Sequence, residues 1–278
     1  MMKNLLLRII ILLAPMSVWG TPVFDTFFTG DVLRFDYLLS GNHLTAKVLQ
    51  CEIKKEKVWS GSHNTLIDNL NLGTYRFKVF DDKSNELIFS KGFSPLFQEW
   101  QSTAEAKVTD KAFYQVIRFP FPKMSVRLKI EKRNYDGQFS EIYSTTINPD
   151  NYFIIDENPM NIQIDKIRYS GEPTNKIDIA ILAEGYTENE MDKFVADARR
   201  LTDSLFAVVP FSQMKSYFNV YALKTPSLES GTDIPGEHIY RNTLFNSTFY
   251  TFDISRYLTT SDMKTIHHFM NTLPSEHM

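Results

Sequence analysis

The sequence is poor in cysteine: Cys51 is the only one in 278 residues. A single thiol cannot form an internal disulfide, which excludes a small disulfide-stapled scaffold. The sequence also offers no specific partner that would activate the thiol, which argues against a catalytic cysteine. Its place beside Leu49 and Ile53 instead predicts a small buried side chain.

The chain also lacks an excess of positive charge. It has 30 basic and 33 acidic residues, a net charge of −3. A nucleic-acid-binding protein normally concentrates basic residues on one face, so no nucleic acid partner is expected. With 43% hydrophobic and 23% charged residues the composition is that of a globular protein. The length corresponds to roughly two domains of about 100–200 residues each.

No apolar run near the N-terminus is long enough to span a membrane, which takes about 20 residues. Lys3 and Arg8 instead precede a short apolar stretch, residues 9–14, which Pro15 ends before the small residue Gly20. This pattern predicts a cleavable signal peptide over residues 1–20. No cysteine follows that could carry a lipid, so we expect a secreted or periplasmic protein with no stable membrane span after cleavage.

Residues 21–147 are rich in β-branched and aromatic runs separated by turn residues. Residues 75–80 alternate polar and apolar side chains, the period of a half-buried strand. Many short strands of this kind predict an antiparallel β-sandwich. The predicted strands are residues 32–38, 46–53, 75–80, 87–89, 114–119, 126–130 and 139–143.

The pattern changes after residue 147. Residues 148–175 contain three prolines and are predicted as a linker, and residues 176–278 as a second domain. There, 177–182 and 217–223 are predicted strands. Between them, Thr187 and Glu190 match a capping box, followed by apolar residues at helical spacing up to Pro210. Strand, helix and strand in that order predict an α/β arrangement.

The residues show no catalytic, cofactor-binding or metal-binding pattern. No two histidines lie at the i, i+4 spacing of a zinc peptidase helix. His267 and His268 are adjacent and predicted to lie on a polar helix surface, and His238 on a solvated loop. No Gly-x-Ser-x-Gly elbow or phosphate-binding loop occurs, and Ser62 and His63 are predicted to have only a loop role.

Several stretches, taken in order, resemble a known family, the secreted zinc metallopeptidases typified by the IgA peptidase. Residues 72–77 and the strands around them resemble the N-terminal domain common in that family. The four stretches that carry the rest of the resemblance are residues 179–187, 217–223, 230–236 and 242–247.

In that family a His-Glu-x-x-His helix, downstream of a further strand, binds zinc and supplies the general base. The sequence ends at Met278 before such a helix, so no residue inherits a ligand or the base. The resemblance implies an α+β multidomain protein: an N-terminal antiparallel β-sandwich followed by an incomplete α/β metallopeptidase-like domain. We expect the front part of such a peptidase, inactive alone. A full-length form would use zinc and act on a protein or peptide. The alternative is a secreted β-sandwich binding module without catalytic activity.

The resemblance also predicts a fragile second domain. Residues 260–270 are helix-like, with an apolar face formed by Met263, Ile266, Phe269 and Met270. If the elements that cover this face lie downstream, the face is exposed and favours association. The alternative is that the chain's own sheet covers it.

Overall fold

The structure, a computed structural model, describes residues 22–273. The predicted signal peptide, residues 1–20, lies outside the described residues. Within 22–273 the strands are β1 (Phe28–Gly41), β2 (Ala46–Glu56), β3 (Tyr75–Asp81), β4 (Leu87–Phe93), β5 (Lys111–Pro122), β6 (Val126–Arg133), β7 (Phe139–Ile147), β8 (Ile155–Asp156), β9 (Ile164–Arg168), β10 (Ile177–Leu182) and β11 (Phe218–Leu223). The α-helices are α1 (Phe24–Phe27), α2 (Leu96–Gln101), α3 (Met191–Leu205) and α4 (Met263–Met270).

The first sheet has four strands in the order β5-β1-β2-β8. β1 pairs antiparallel with both neighbours, so that Phe35 lies opposite Ile53 on β2 and Ile117 on β5. The short β8 pairs in parallel with the end of β2. Aromatic and β-branched residues recur along β1, and such side chains favour a pleated, half-buried backbone.

The second sheet has the order β4-β3-β6-β7, and all of its strand pairs are antiparallel. Along β3 every second residue is buried, starting with Tyr75, Phe77 and Val79. This confirms the period-two pattern read from the sequence. The other strands predicted between residues 31 and 146 are confirmed as well.

The two sheets contribute to one hydrophobic core. Leu33 and Phe35 enter it from the first sheet, and Phe77 and Leu128 enter it from the second. The ring centroids of Phe77 and Phe119 lie 6.2 Å apart, which joins the two sheets directly. Burial of such side chains stabilises the fold by about 25 cal/mol per Å² of apolar surface.

The prediction that Cys51 is buried is wrong, because its side chain is exposed. The pairing of β1 with β2 shifts at Asp36 and Tyr37, which lie opposite Glu52 and Gln50, so Cys51 falls in a β-bulge. A bulge adds one residue to the strand and reverses which side chains point inward beyond it. The strict alternation that placed Cys51 inside does not hold at this point.

The third sheet has the order β10-β11-β9. β10 and β11 are parallel, with Ile179 opposite Val220, and β9 runs antiparallel to β11. α3 connects the parallel pair, so the predicted strand, helix and strand are confirmed. The helix begins after the predicted capping box: the Glu190 carboxylate accepts the Thr187 amide at 2.8 Å and its hydroxyl at 2.9 Å.

Helices cover both faces of the third sheet. Ala222 on β11 packs in one cluster with Phe194 of α3. The adjacent residue Tyr221 packs in another cluster with Ile266 of α4. Because successive side chains of a strand point to opposite faces, α3 and α4 lie on opposite faces of this sheet.

The segment predicted as a linker, residues 148–175, contains two strands. β8 pairs with β2 of the first sheet, and β9 pairs with β11 of the third. Between these strands the side chain of Glu157 is buried. The short apolar stretches between the prolines of this segment therefore form strands of the first and the third sheet.

The prediction of an exposed apolar face on α4 is wrong. Ile266 and Met270 are only 6% and 2% exposed. With the partly buried Met263 and Phe269 they pack in a cluster that includes β11 and Phe245. The alternative stated from the sequence therefore holds: the chain's own sheet and loops cover this helix.

Candidate functional site

The carboxyl ends of β10 and β11 lie side by side because the two strands are parallel. The amide of Ala183, just past β10, donates to the carbonyl of Leu223 at 3.2 Å. The Thr225 hydroxyl donates to the carbonyl of Ala183 at 2.9 Å. In sheets with parallel strands and helices on both faces, ligands bind beyond these ends. We call this region, built from loops 183–187, 224–234 and 241–248, the carboxyl edge.

Glu184 organises the carboxyl edge. One oxygen of its carboxylate, Oε1, accepts the Thr243 hydroxyl at 2.7 Å and the Ser247 amide at 2.9 Å. The other oxygen, Oε2, accepts the Phe245 amide at 3.0 Å. All three donors come from one loop segment and from its buried residues, so a single side chain fixes the path of residues 243–247. A carboxylate with three such donors is a positioning group for that loop.

Glycine at position 185 permits a close approach of two loops. Gly185 has φ +71°, and a Cβ built there would lie 2.1 Å from the carbonyl oxygen of Gly231. The Gly231 amide donates to the Gly185 carbonyl at 2.9 Å. Any larger residue would both strain the backbone and separate these loops.

Ser227 also joins these loops. Its hydroxyl oxygen accepts the amides of Gly185 and Leu244, each at 3.1 Å. Its own amide donates to the Tyr186 carbonyl at 2.8 Å. Thr232 then bonds through its hydroxyl to the Ser247 carbonyl at 2.6 Å. The carboxyl edge is therefore one connected hydrogen-bond network.

The structure brings together the four stretches on which the family resemblance rested. Residues 179–187 and 217–223 form the parallel strands and the loop that carries Glu184. Residues 242–247 bind its carboxylate, and residues 230–236 contact both loops through Gly231 and Thr232. Glu184 was not singled out from the sequence. The signal that could have found it is an acidic residue directly after a buried parallel strand.

Comparison with known families gives the same assignment. A model described as Peptidase M64 N-terminus matches residues 23–144, and one described as IgA Peptidase M64 matches residues 165–278. The chain belongs to the IgA peptidase-type M64 family. No curated protein matches it. The first match covers most of the first two sheets, and the second begins at β9 and includes the carboxyl edge.

The catalytic zinc of a peptidase is held by about three protein ligands and keeps one coordination position open. Within residues 22–273 of this M64 family member, no three His, Cys, Asp or Glu side chains are grouped to hold a metal ion. The same range holds no helix both long and apolar enough to cross a bilayer.

The histidines were predicted partly correctly. His238 is exposed on a loop, as expected. His267 is not a surface residue in the expected sense, because its Nδ1 atom is buried. His268 Nδ1 lies 3.1 Å from the carboxylate of Glu157. Both rings of α4 face charged groups that come from a distant part of the chain, which helical spacing alone does not reveal.

The predicted loop role of Ser62 and His63 is confirmed. The Ser62 hydroxyl oxygen accepts the amides of Asn64 and Thr65 at 3.1 and 2.9 Å, which closes a local turn. The ring of His63 stacks on Phe24 with centroids 3.7 Å apart.

Proposed function

We propose that these residues are the N-terminal part of a secreted zinc metallopeptidase of the IgA-peptidase type. The observation that carries the proposal is the convergence of the four family stretches on Glu184 at the carboxyl edge. Loops far apart in sequence are held there by one partly buried hydrogen-bond network. Polar side chains that hold several loops together in this way are typical of a site that must keep a fixed shape.

The two-part architecture supports the proposal. The first two sheets share one core and are proposed to form the β-sandwich of an N-terminal domain. The third sheet, with α3 and α4 on opposite faces, is proposed to begin an α/β peptidase domain. The full-length substrate is then a protein or peptide, which is the substrate class of the family.

Activity is proposed to require residues that this sequence does not contain. The 278 residues contain no His-Glu-x-x-His, the pattern that places two imidazoles and a general base on one helix. The polypeptide alone is therefore proposed to bind no catalytic zinc and to cleave no peptide bond. The pattern of residues 1–20 supports export through a cleavable signal peptide to the periplasm or the exterior.

A second candidate is a binding module built on the first two sheets. Tyr152 is 86% exposed and its ring lies tilted against that of Phe153, with centroids 4.3 Å apart. Tyr152 also lines an open pocket together with Lys55 and Phe121. Aromatic rings with one wet edge are common at contact surfaces, which favours ligand binding by this unit.

The nucleotide sequence that follows the codon for Met278 distinguishes the two candidates. The peptidase proposal expects a His-Glu-x-x-His sequence downstream, in frame or in a shifted frame. If no reading frame encodes it, the binding module becomes the better interpretation. The measurement needs no folded protein, so its outcome does not depend on the stability of either unit.

A further inference from the structure

A group of buried charges lies where α4 meets the first sheet. Arg34 on β1 is fully buried and donates from Nε and Nη2 to both carboxylate oxygens of Asp36, each at 2.7 Å. Its Nη1 lies 3.3 Å from Glu56 on β2 and 2.8 Å from Glu157. Arg118 on β5 donates to the second oxygen of Glu56 at 2.9 Å. We call these five residues the interface cluster.

Glu157 ties the interface cluster to α4. Its Oε1 atom accepts Lys54 Nζ at 2.6 Å and lies 3.1 Å from Nδ1 of His268. Its backbone carbonyl accepts the side-chain amide of Asn271 at 3.0 Å. Lys264 of α4 also forms an ion pair with Glu52 of β2 at 2.7 Å. One face of α4 is therefore held by its own apolar core and another by charges of the first sheet.

The Nδ1 edge of the His267 ring points into this contact, while the residue as a whole is only partly buried. Its Nδ1 atom is buried and has no hydrogen-bond partner among the described residues. Burial lowers the pKa of His267 well below its ordinary value, and the positive charges of Arg118 and Arg34 lower it further. A neutral ring is tolerated there, whereas an imidazolium would face two guanidinium groups.

Several other titratable groups of the surrounding elements lie around this contact. β1 contributes Arg34 and Asp36, β2 contributes Glu52, Lys54 and Glu56, β5 contributes Tyr114 and Arg118, the segment after β8 contributes Glu157, and α4 contributes Lys264 and His268. Burial raises the pKa of Glu157, but the hydrogen bond from Lys54 and the charge of Arg34 outweigh it and leave the pKa lowered. The hydrogen bond from Lys264 lowers the pKa of Glu52. Both carboxylates stay ionised above about pH 5, since the pKa of an ordinary Glu side chain is about 4.3.

We propose that the contact between α4 and the first sheet is an acid-sensitive latch, in which protonation of His267 releases α4. When α4 is docked, the ring excludes the proton; when α4 is released into water, the ring takes it up at its ordinary pKa. The released state therefore binds more protons below about pH 6.5, and acid shifts the equilibrium toward release. The docked state is fully favoured above that pH.

Hydrogen exchange of the α4 amides between pH 7.5 and pH 5.0, corrected for the intrinsic exchange rate, tests the latch. The latch predicts that protection falls as the pH drops below about 6.5, by up to tenfold per pH unit for one linked proton. In His267→Gln, which cannot be protonated, this dependence disappears. In the matched control His268→Gln, on the same helix, it persists. A pH dependence that survives in His267→Gln, or that is lost in His268→Gln instead, would overturn the proposal.

A measurement on the unaltered protein covers the case in which His267→Gln does not fold. The histidine ring carbons can be labelled with ¹³C and followed by NMR over the same pH range. The latch predicts that the ring of docked His267 stays neutral and changes only together with the release of α4. A His267 ring that titrates near pH 6.5 while α4 stays protected contradicts the latch.

Discussion

The carboxylate of Glu184 accepts the amide of Ser247 at 2.9 Å and thereby joins two positions 63 residues apart in sequence. The same side chain holds Thr243 and Phe245. The end of a parallel strand is thus fixed to a loop that belongs to a different part of the chain. The shape of the carboxyl edge depends on this one acidic side chain, which makes it the first target for mutation.

Glu184→Gln is expected to lower the free energy of unfolding by about 1.5–3 kcal/mol. The substitution removes the negative charge of the acceptor, and the new side-chain NH2 group of Gln then faces a hydrogen-bond donor of the loop that it cannot accept. Hydrogen exchange at Phe245 and Ser247 should accelerate at the same time. The matched control is Glu188→Gln, an exposed residue four positions later, which should change stability by less than about 0.5 kcal/mol. Equal effects of the two substitutions would refute the positioning role of Glu184.

Gly185→Ala is expected to be markedly more destabilising than Gly137→Ala. Both glycines have positive φ, +71° and +83°, so both substitutions incur a backbone cost of about 1–2 kcal/mol. Only at Gly185 does the new Cβ meet backbone, the carbonyl of Gly231 at 2.1 Å. Overpacking adds about 1–3 kcal/mol there. Urea unfolding of the two variants measures the difference, and equal midpoints would show that the loops do not approach this closely.

Arg34→Met is expected to lower the free energy of unfolding by about 3–5 kcal/mol, because it leaves Asp36, Glu56 and Glu157 buried without their shared cation. Arg199→Met, on the exposed side of α3, is the control and should fall within about 0.5 kcal/mol of the unaltered protein. If the two variants unfold at the same denaturant concentration, the interface cluster does not stabilise the fold.

Local patterns predicted most of the regular structure. The alternation of residues 75–80 found β3, and the Thr187–Glu190 capping box found the start of α3, because both signals lie within a few neighbouring residues. β9 was missed because a five-residue strand among prolines has no such signal and is defined by its pairing with β11. Cys51 was misplaced because a bulge depends on the partner strand.

The candidate site was predictable only in part, for the same physical reason. The sequence indicated that residues 179–187, 230–236 and 242–247 belong together, since their order resembles a family. It did not indicate which side chain joins them, because the hydrogen bonds of Glu184 close over 59 to 63 residues. The lowered pKa of His267 likewise depends, beside burial, on the charges of Arg118 and Arg34, which lie far away in sequence.

Metal content and proteolysis of the purified polypeptide test the central claim most directly. The polypeptide is incubated with zinc, dialysed, and examined for bound zinc and for cleavage of an unfolded protein substrate with and without a chelator. The proposal that this polypeptide is the front part of an M64 peptidase predicts that it holds far less than one zinc per chain and shows no chelator-sensitive cleavage. One zinc per chain together with cleavage that a chelator abolishes would contradict the account.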